Sequence, residues 1–231
     1  MPILNPTAAT GARTMPAEMT YVDPARRMPD AEAAEFLADT GINGPFVADL
    51  LSDVLAHERC GVQLYRSVAA RTNNPVLKEQ YEHFGDETVG HVEILEDLIA
   101  RVGGDPGYVS PAARATAKAD TGLLESTFLL TGSIDLMTQE LVMLEAVMLA
   151  EAKDHANWTA LARVTELLAE GEVRDAFADA VVRVEPQEDE HLGWATETRT
   201  KLVVAQARSK ALQHAGETME KVVARIKSWL D

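Results

Sequence analysis

The chain has 231 residues, 46% apolar and 25% charged, with a formal net charge of -16 and a pI of about 4.7. That length suits one large domain or two small ones. The acidity argues against nucleic acid, which asks for a basic footprint, and against an anionic membrane surface. Cys60 is the only cysteine, so an intrachain disulfide framework and a four-cysteine metal centre are both excluded. It reads as a small hydrophobe. Aromatics are scarce at 5%, while Ala, Leu, Val, Glu and Met are common, a palette that, Val apart, favours helices. The first 20 residues carry no apolar run after a basic start, and no 18-residue apolar stretch follows. The expectation is a cytoplasmic protein without a membrane span.

Met1 to about Thr40, rich in Pro, Ala, Thr and Asp, reads as an arm with a short helix over Asp30 to Ala38. The expected organisation is an arm over 1–43, a helical bundle domain over 44–209 and an amphipathic helix over 210–231. The first long helix begins near Pro45, with Val47, Leu50, Leu51, Val54, Leu55, Val62 and Tyr65 at threes and fours. Asn73, Asn74 and Pro75 end it and start a second helix to about Val102, which Gly103 to Gly107 stop. Ser110-Pro111 then reads as a cap and first-turn proline inside a long connection. A third long helix covers about Ile134 to His155, with a bend over Asp154 to Trp158 and more helix to Glu170. The fourth runs from about Val173 to Ala207, and Pro186 within it should kink it or free a carbonyl. The tail repeats Met219, Val222, Val223, Ile226, Trp229 and Leu230 on one face, which suggests self-association, with a dimer favoured. Two helical pairs joined by a long crossover predict an all-α crossover bundle.

Within these stripes stand groups that apolar cores avoid. Glu58 lies between Val54, Leu55, Val62 and Tyr65 on the core side of its helix. Glu145 has matching neighbours in Leu141, Val142, Met148 and Leu149. Glu188 and His191 are three apart and share a face, as a metal-binding pair in a bundle would. His91 is their counterpart, but the position three residues before it is Thr88; Glu87, four before, is the substitute. Tyr65, seven after Glu58, reads either as a hydrogen-bond partner of the ligands or as plain core. Ala152, seven after Glu145, offers no such partner. Glu151 and His155 read as a solvated pair off the Glu145 stripe. His57, His83 and His214 read as non-ligands.

These residues, with Glu93 to Ile99 running into Gly103-Gly104, resemble the ferritin-like superfamily, especially rubrerythrin-like and bacterial ferritin-like-domain proteins, over about Phe46 to Leu202. The resemblance implies a four-helix bundle with one crossover and a centre of two iron or manganese ions, zinc being compatible. It places metal ligands at Glu58, His91, Glu145, Glu188 and His191; the glutamate it expects three residues before His91 falls on Thr88, and Glu87 is read as its substitute. It also implies oxidoreductase chemistry on ferrous iron with dioxygen or peroxide. Manganese catalase-like dismutation and a non-catalytic scaffold with a decayed site stay open beside it. The cysteines of a rubredoxin module are absent.

Overall fold

A computed structural model describes residues 36–129 and 136–208. Most of the arm and the whole amphipathic tail of the sequence reading lie outside the described residues. Among the described residues there are five α-helices and no strand: α1 Gly44–Arg71, α2 Pro75–Arg101, α3 Pro111–Ser126, α4 Leu136–Leu167 and α5 Glu172–Arg208, preceded by a short 3-10 turn at Ala38–Thr40. The four long helices form a bundle of two hairpins, α1 with α2 and α4 with α5, closed by α2 against α5 and α1 against α4.

The helix boundaries follow from local chemistry. Asn43, Asn74 and Ser110 each accept a hydrogen bond from a backbone N–H of the first turn, and each is followed by proline at the helix start. Gly103 adopts φ 84° just past α2, and a Cβ on Gly104 would meet Ile99 Cγ2 at 2.9 Å. The expected bend over Asp154 to Trp158 does not occur. Helix α4 is continuous there, and Asp154 and Trp158 turn into the core. Helix α5 is likewise continuous through Pro186.

The crossover is α3, which runs beside α1 from one end of the bundle to the other. At its start Ser110 donates its N–H to Ser52 Oγ at 2.9 Å, and Ser52 donates to the Tyr108 carbonyl. At its end Arg71 Nη1 donates to Thr127 Oγ1 at 2.7 Å. Midway, His57 Nδ1 meets Asp120 Oδ2 at 2.7 Å and His57 Nε2 meets the Ala150 carbonyl at 3.0 Å. Both partners accept, so the ring carries both protons. Burial works to lower the pKa of His57, but the Asp120 hydrogen bond and charge prevail and hold it above 6.5. One buried ion pair thus ties α3 to α1 and α4.

The core divides into two apolar clusters, one at each end. Leu51, Leu55, Leu95, Leu98, Leu161 and Phe177 mark the first, and Leu77, Tyr81, Phe84, Met143, Leu144 and Leu202 the second. Between them lies a layer of buried carboxylates and imidazoles.

Removing one partner of a buried ion pair strands the other charge, which typically costs about 3–5 kcal/mol. Asp120→Ala should lower the unfolding free energy by about that amount in urea titration. The contribution of His57, whose folded pKa is raised, is complete below pH 6.5 and disappears as pH rises through its folded value.

Candidate metal centre

One residue or pair from each long helix builds the polar layer. Helix α1 supplies Glu58, α2 His91, α4 Glu151 and Asp154, and α5 Glu188 and His191, none of them more than 5% exposed. The ligand-type atoms of Glu58, His91 and Glu188 lie within 4.8 Å of one another, and so do those of Glu151, Glu188 and His191. Glu188 belongs to both groups. Its Oε1 is 2.9 Å from His91 Nδ1 and 3.6 Å from His191 Nδ1. The two imidazole rings stand nearly parallel, centroids 5.7 Å apart.

Six atoms here are buried without a hydrogen bond: Glu58 Oε2, His91 Nδ1, Glu151 Oε2, both Glu188 oxygens and His191 Nδ1. The 2.9 Å approach of His91 to Glu188 is a charge contact whose alignment is not that of a hydrogen bond. Folded proteins leave few buried polar atoms unpaired, so six within the two ligand groups, with Asp154 Oδ1 a seventh in the layer, require an explanation. All are lone-pair donors of the kind that bind divalent cations, and the residues fit a pair of such ions.

Every other polar atom of the ligand set is occupied. Tyr65 donates its hydroxyl to Glu151 Oε1 at 2.8 Å, and Trp158 donates its indole N–H to Glu58 Oε1 at 2.7 Å. Behind the histidines, Gln187 Nε2 donates to Glu87 Oε1 at 2.7 Å. Because a carboxylate only accepts, that bond fixes the amide, and Gln187 Oε1 must face His91 Nε2 at 2.9 Å. His91 therefore keeps its Nε2 proton, and Nδ1 is the nitrogen aimed at the centre. His191 Nε2 meets Glu87 Oε2 at 2.9 Å, with the same consequence. Such outer contacts fix the ring orientation and the tautomer of metal-binding histidines.

The metal-free layer balances its charge with protons. Burial alone would lower the pKa of His91, but Glu188 and Glu58 outweigh it and raise it to about 10. Burial pushes Glu188 up to about 7, with the charges of Glu151 and Glu58 adding to it and the His91 contact opposing. Burial acts to lower His191, yet Glu151 and Glu188 raise it. Burial raises Tyr65 well above the phenol range, so it remains a donor. Glu87 goes the other way: burial opposes ionisation, but His191 holds it below 4.5.

The structure brings Glu58, His91, Glu188 and His191 together at the bundle centre. Glu145 is elsewhere, half exposed and paired with Arg199 at 3.0 Å. Helix α4 is apolar on almost every side between Leu141 and Ala150, so its sequence left the inward face unphased. Its buried positions include Met143, Leu144, Val147, Glu151, Asp154 and Trp158. The α4 carboxylate that joins a ligand group, with Glu188 and His191, is Glu151. It makes no solvated pair with His155, which instead lies 3.0 Å from Asp189. Glu87 stands behind His191, outside both ligand groups. Tyr65 does bond a carboxylate of the layer, that of Glu151. A signal for Glu151 was present. Trp158 follows it by seven residues, as Tyr65 follows Glu58, and each aromatic bonds the other helix's carboxylate. Thr88 is buried, with its hydroxyl donated to the Phe84 carbonyl at 2.8 Å.

Without metal, the folded state holds protons more tightly than the unfolded chain at Glu188 between pH 4.5 and about 7, and at His91 between 6.5 and about 10. Stability from both groups is lost as pH rises through these windows. Chelator-treated protein should be harder to unfold with urea at pH 6 than at pH 9. A flat or rising profile would contradict the protonated layer.

Comparison with known proteins places this geometry in a family. No curated protein matches the chain. The structure is similar to the crystal structure of the E. coli stress protein YciF, with a TM-score of 0.58 and 17% sequence identity, covering 69% of this chain and 95% of the other. At that identity the likeness concerns the fold. The family model described as "Domain of unknown function (DUF892)" matches residues 46–180, more than half of the chain, and includes Glu58, His91, Glu151 and Trp158. The chain belongs to the DUF892 family and has a ferritin-like helical bundle with a centre capable of holding two metal ions.

Proposed function

We propose that this protein binds two iron or manganese ions and works as an oxidoreductase on ferrous iron with dioxygen or peroxide, in the manner of the rubrerythrin-like branch of ferritin-like proteins. The observation that carries this reading is the set of six unpaired buried donor atoms in two groups joined by Glu188. Carboxylate and imidazole donors suit iron and manganese and tolerate zinc. When bound, such a metal pair supplies two-electron exchange with a small oxidant.

The chain's own residues do the rest. Glu188 reaches both positions, and Glu58 and Glu151 each serve one. Tyr65 and Trp158 clamp the outer oxygens of those two carboxylates and leave the inner ones unpaired. Glu87 and Gln187 hold both imidazoles with Nδ1 inward. Phe84 packs on His191 at 4.1 Å between ring centroids, and Trp158 stands edge-on to His91, so bulk water is kept from the donors. Protons held at His91 and Glu188 must leave as metal enters, so uptake tightens as pH rises. The threonine at position 88 favours a second reading, a helical stress-protein scaffold with a reduced site. The homodimer belongs to the same proposal, supported by the apolar repeat from Met219 to Leu230 in the sequence; a monomer in sedimentation would refute it.

Anaerobic equilibrium dialysis against manganous or ferrous ion tests the centre. The wild type should retain two ions per chain, Glu188→Ala should lose both tight positions, and Glu145→Ala should bind as the wild type does. Oxidation of the ferrous protein by dioxygen or peroxide then separates the enzyme from the scaffold. A wild type that retains no more metal than Glu188→Ala would end the metal reading.

A further inference from the structure

One buried contact lies beside the metal layer and involves none of its ligand atoms. His57 is buried on α1, immediately before Glu58, and Ala150 is buried on α4, immediately before Glu151. The His57 ring spans the two helices. Its Nε2 meets the Ala150 carbonyl at 3.0 Å, and its Nδ1 meets Asp120 Oδ2 of the crossover helix at 2.7 Å. A carbonyl and a carboxylate both accept, so both ring nitrogens donate.

The place of this contact follows from the internal repeat. An offset of 93 residues separates His57 from Ala150, and the same offset separates Glu58 from Glu151 and Tyr65 from Trp158. His57 and Ala150 are therefore equivalent positions of the two halves. Equivalent positions that touch lie close to the axis relating the halves, and Glu58 and Glu151 stand on either side of it. Glu58 belongs to one ligand group and Glu151 to the other. Consecutive residues of a helix are joined rigidly, with a rise of about 1.5 Å, so the backbone at 57 and 150 carries Glu58 and Glu151 with it. The Ala150 carbonyl lies inside α4, where a helical amide already serves it, so the bond from His57 is not needed to satisfy it. What the bond adds is a fixed separation of α1 and α4 beside the two carboxylates.

We propose that His57 is a positioning residue of the metal centre. By bonding the Ala150 carbonyl it sets the spacing of Glu58 and Glu151, and so of the two metal positions, while Asp120 of the crossover helix orients its ring. The inference rests on the two-metal reading above.

Two amide side chains separate positioning from bulk stability. His57→Gln puts an amide nitrogen where the imidazole Nε2 stands and can still reach Ala150; His57→Asn puts it where Nδ1 stands and cannot. Each is combined with Asp120→Asn, so that no buried charge is stranded. Manganous ion is titrated by calorimetry, and electron paramagnetic resonance of the loaded protein reads the magnetic coupling of the two ions, which depends on their spacing. The His57→Gln double variant should match Asp120→Asn in affinity and in its coupled spectrum. The His57→Asn double variant should bind at least about tenfold more weakly and show an altered coupling. Thermal melts confirm that the variants are folded. One measurement needs no variant: in crystals of the wild-type protein loaded with manganese, His57 Nε2 should stay about 3 Å from the Ala150 carbonyl. Equal affinities in the two double variants, an unaltered coupled spectrum in the His57→Asn one, or a loaded wild type without that contact would overturn the assignment and leave the metal centre standing. A wild type that takes up no manganese would end the metal reading and the assignment with it.

Discussion

The constraint on which this structure depends is the charge balance of one buried layer. Glu58, Glu151, Asp154 and Glu188 lie together between two apolar clusters, far from the dielectric that would screen them. Like charges in such a place must be met by cations or must take up protons. The metal-free protein uses protons: His91 is held charged to about pH 10, and burial pushes Glu188 up to about 7. The same atoms that hold those protons are the ones left without hydrogen bonds. These lone pairs are also the ones that a divalent cation would use.

That layer is braced by exchange between the halves. Tyr65 of α1 bonds Glu151 of α4, and Trp158 of α4 bonds Glu58 of α1. Glu87 of α2 bonds His191 of α5, and Gln187 of α5 bonds His91 of α2. Each pair is the image of the other under an approximate two-fold relation of the hairpins, and each crosses between hairpins. The relation breaks where Glu188 faces no carboxylate at Thr88 and where Asp154 answers Gly61. The two ligand groups therefore differ in their surroundings.

The helices were legible because their signals are local: Asn43, Asn74 and Ser110 before prolines, Gly103 after α2, and apolar residues at threes and fours. Glu58, His91, Glu188 and His191 were legible because each interrupts a stripe whose phase is clear. Glu145 was misplaced because α4 is apolar on nearly all sides, so periodicity could not say which face points inward; the phase is set by packing against α1 and α5. Glu87 looked like a ligand because i, i+4 spacing shares a face with His91. In the bundle it reaches across to His191 instead, and no intrahelical pattern encodes that contact. The repeat of acid and aromatic at a spacing of seven, Glu58 with Tyr65 and Glu151 with Trp158, is a sequence feature that marks the inward face of α4.

Fold and site thus follow one logic. The crossover helix α3 is tied to α1 by the His57–Asp120 pair, and the other nitrogen of His57 meets the Ala150 carbonyl of α4, one residue before Glu151. We propose that this layer holds two metal ions. Native mass spectrometry of the intact protein, exposed to ferrous or manganous ion without oxygen and then desalted, tests it most directly. One dominant species carrying two ions per chain is expected. A dominant metal-free chain under the same conditions would contradict it.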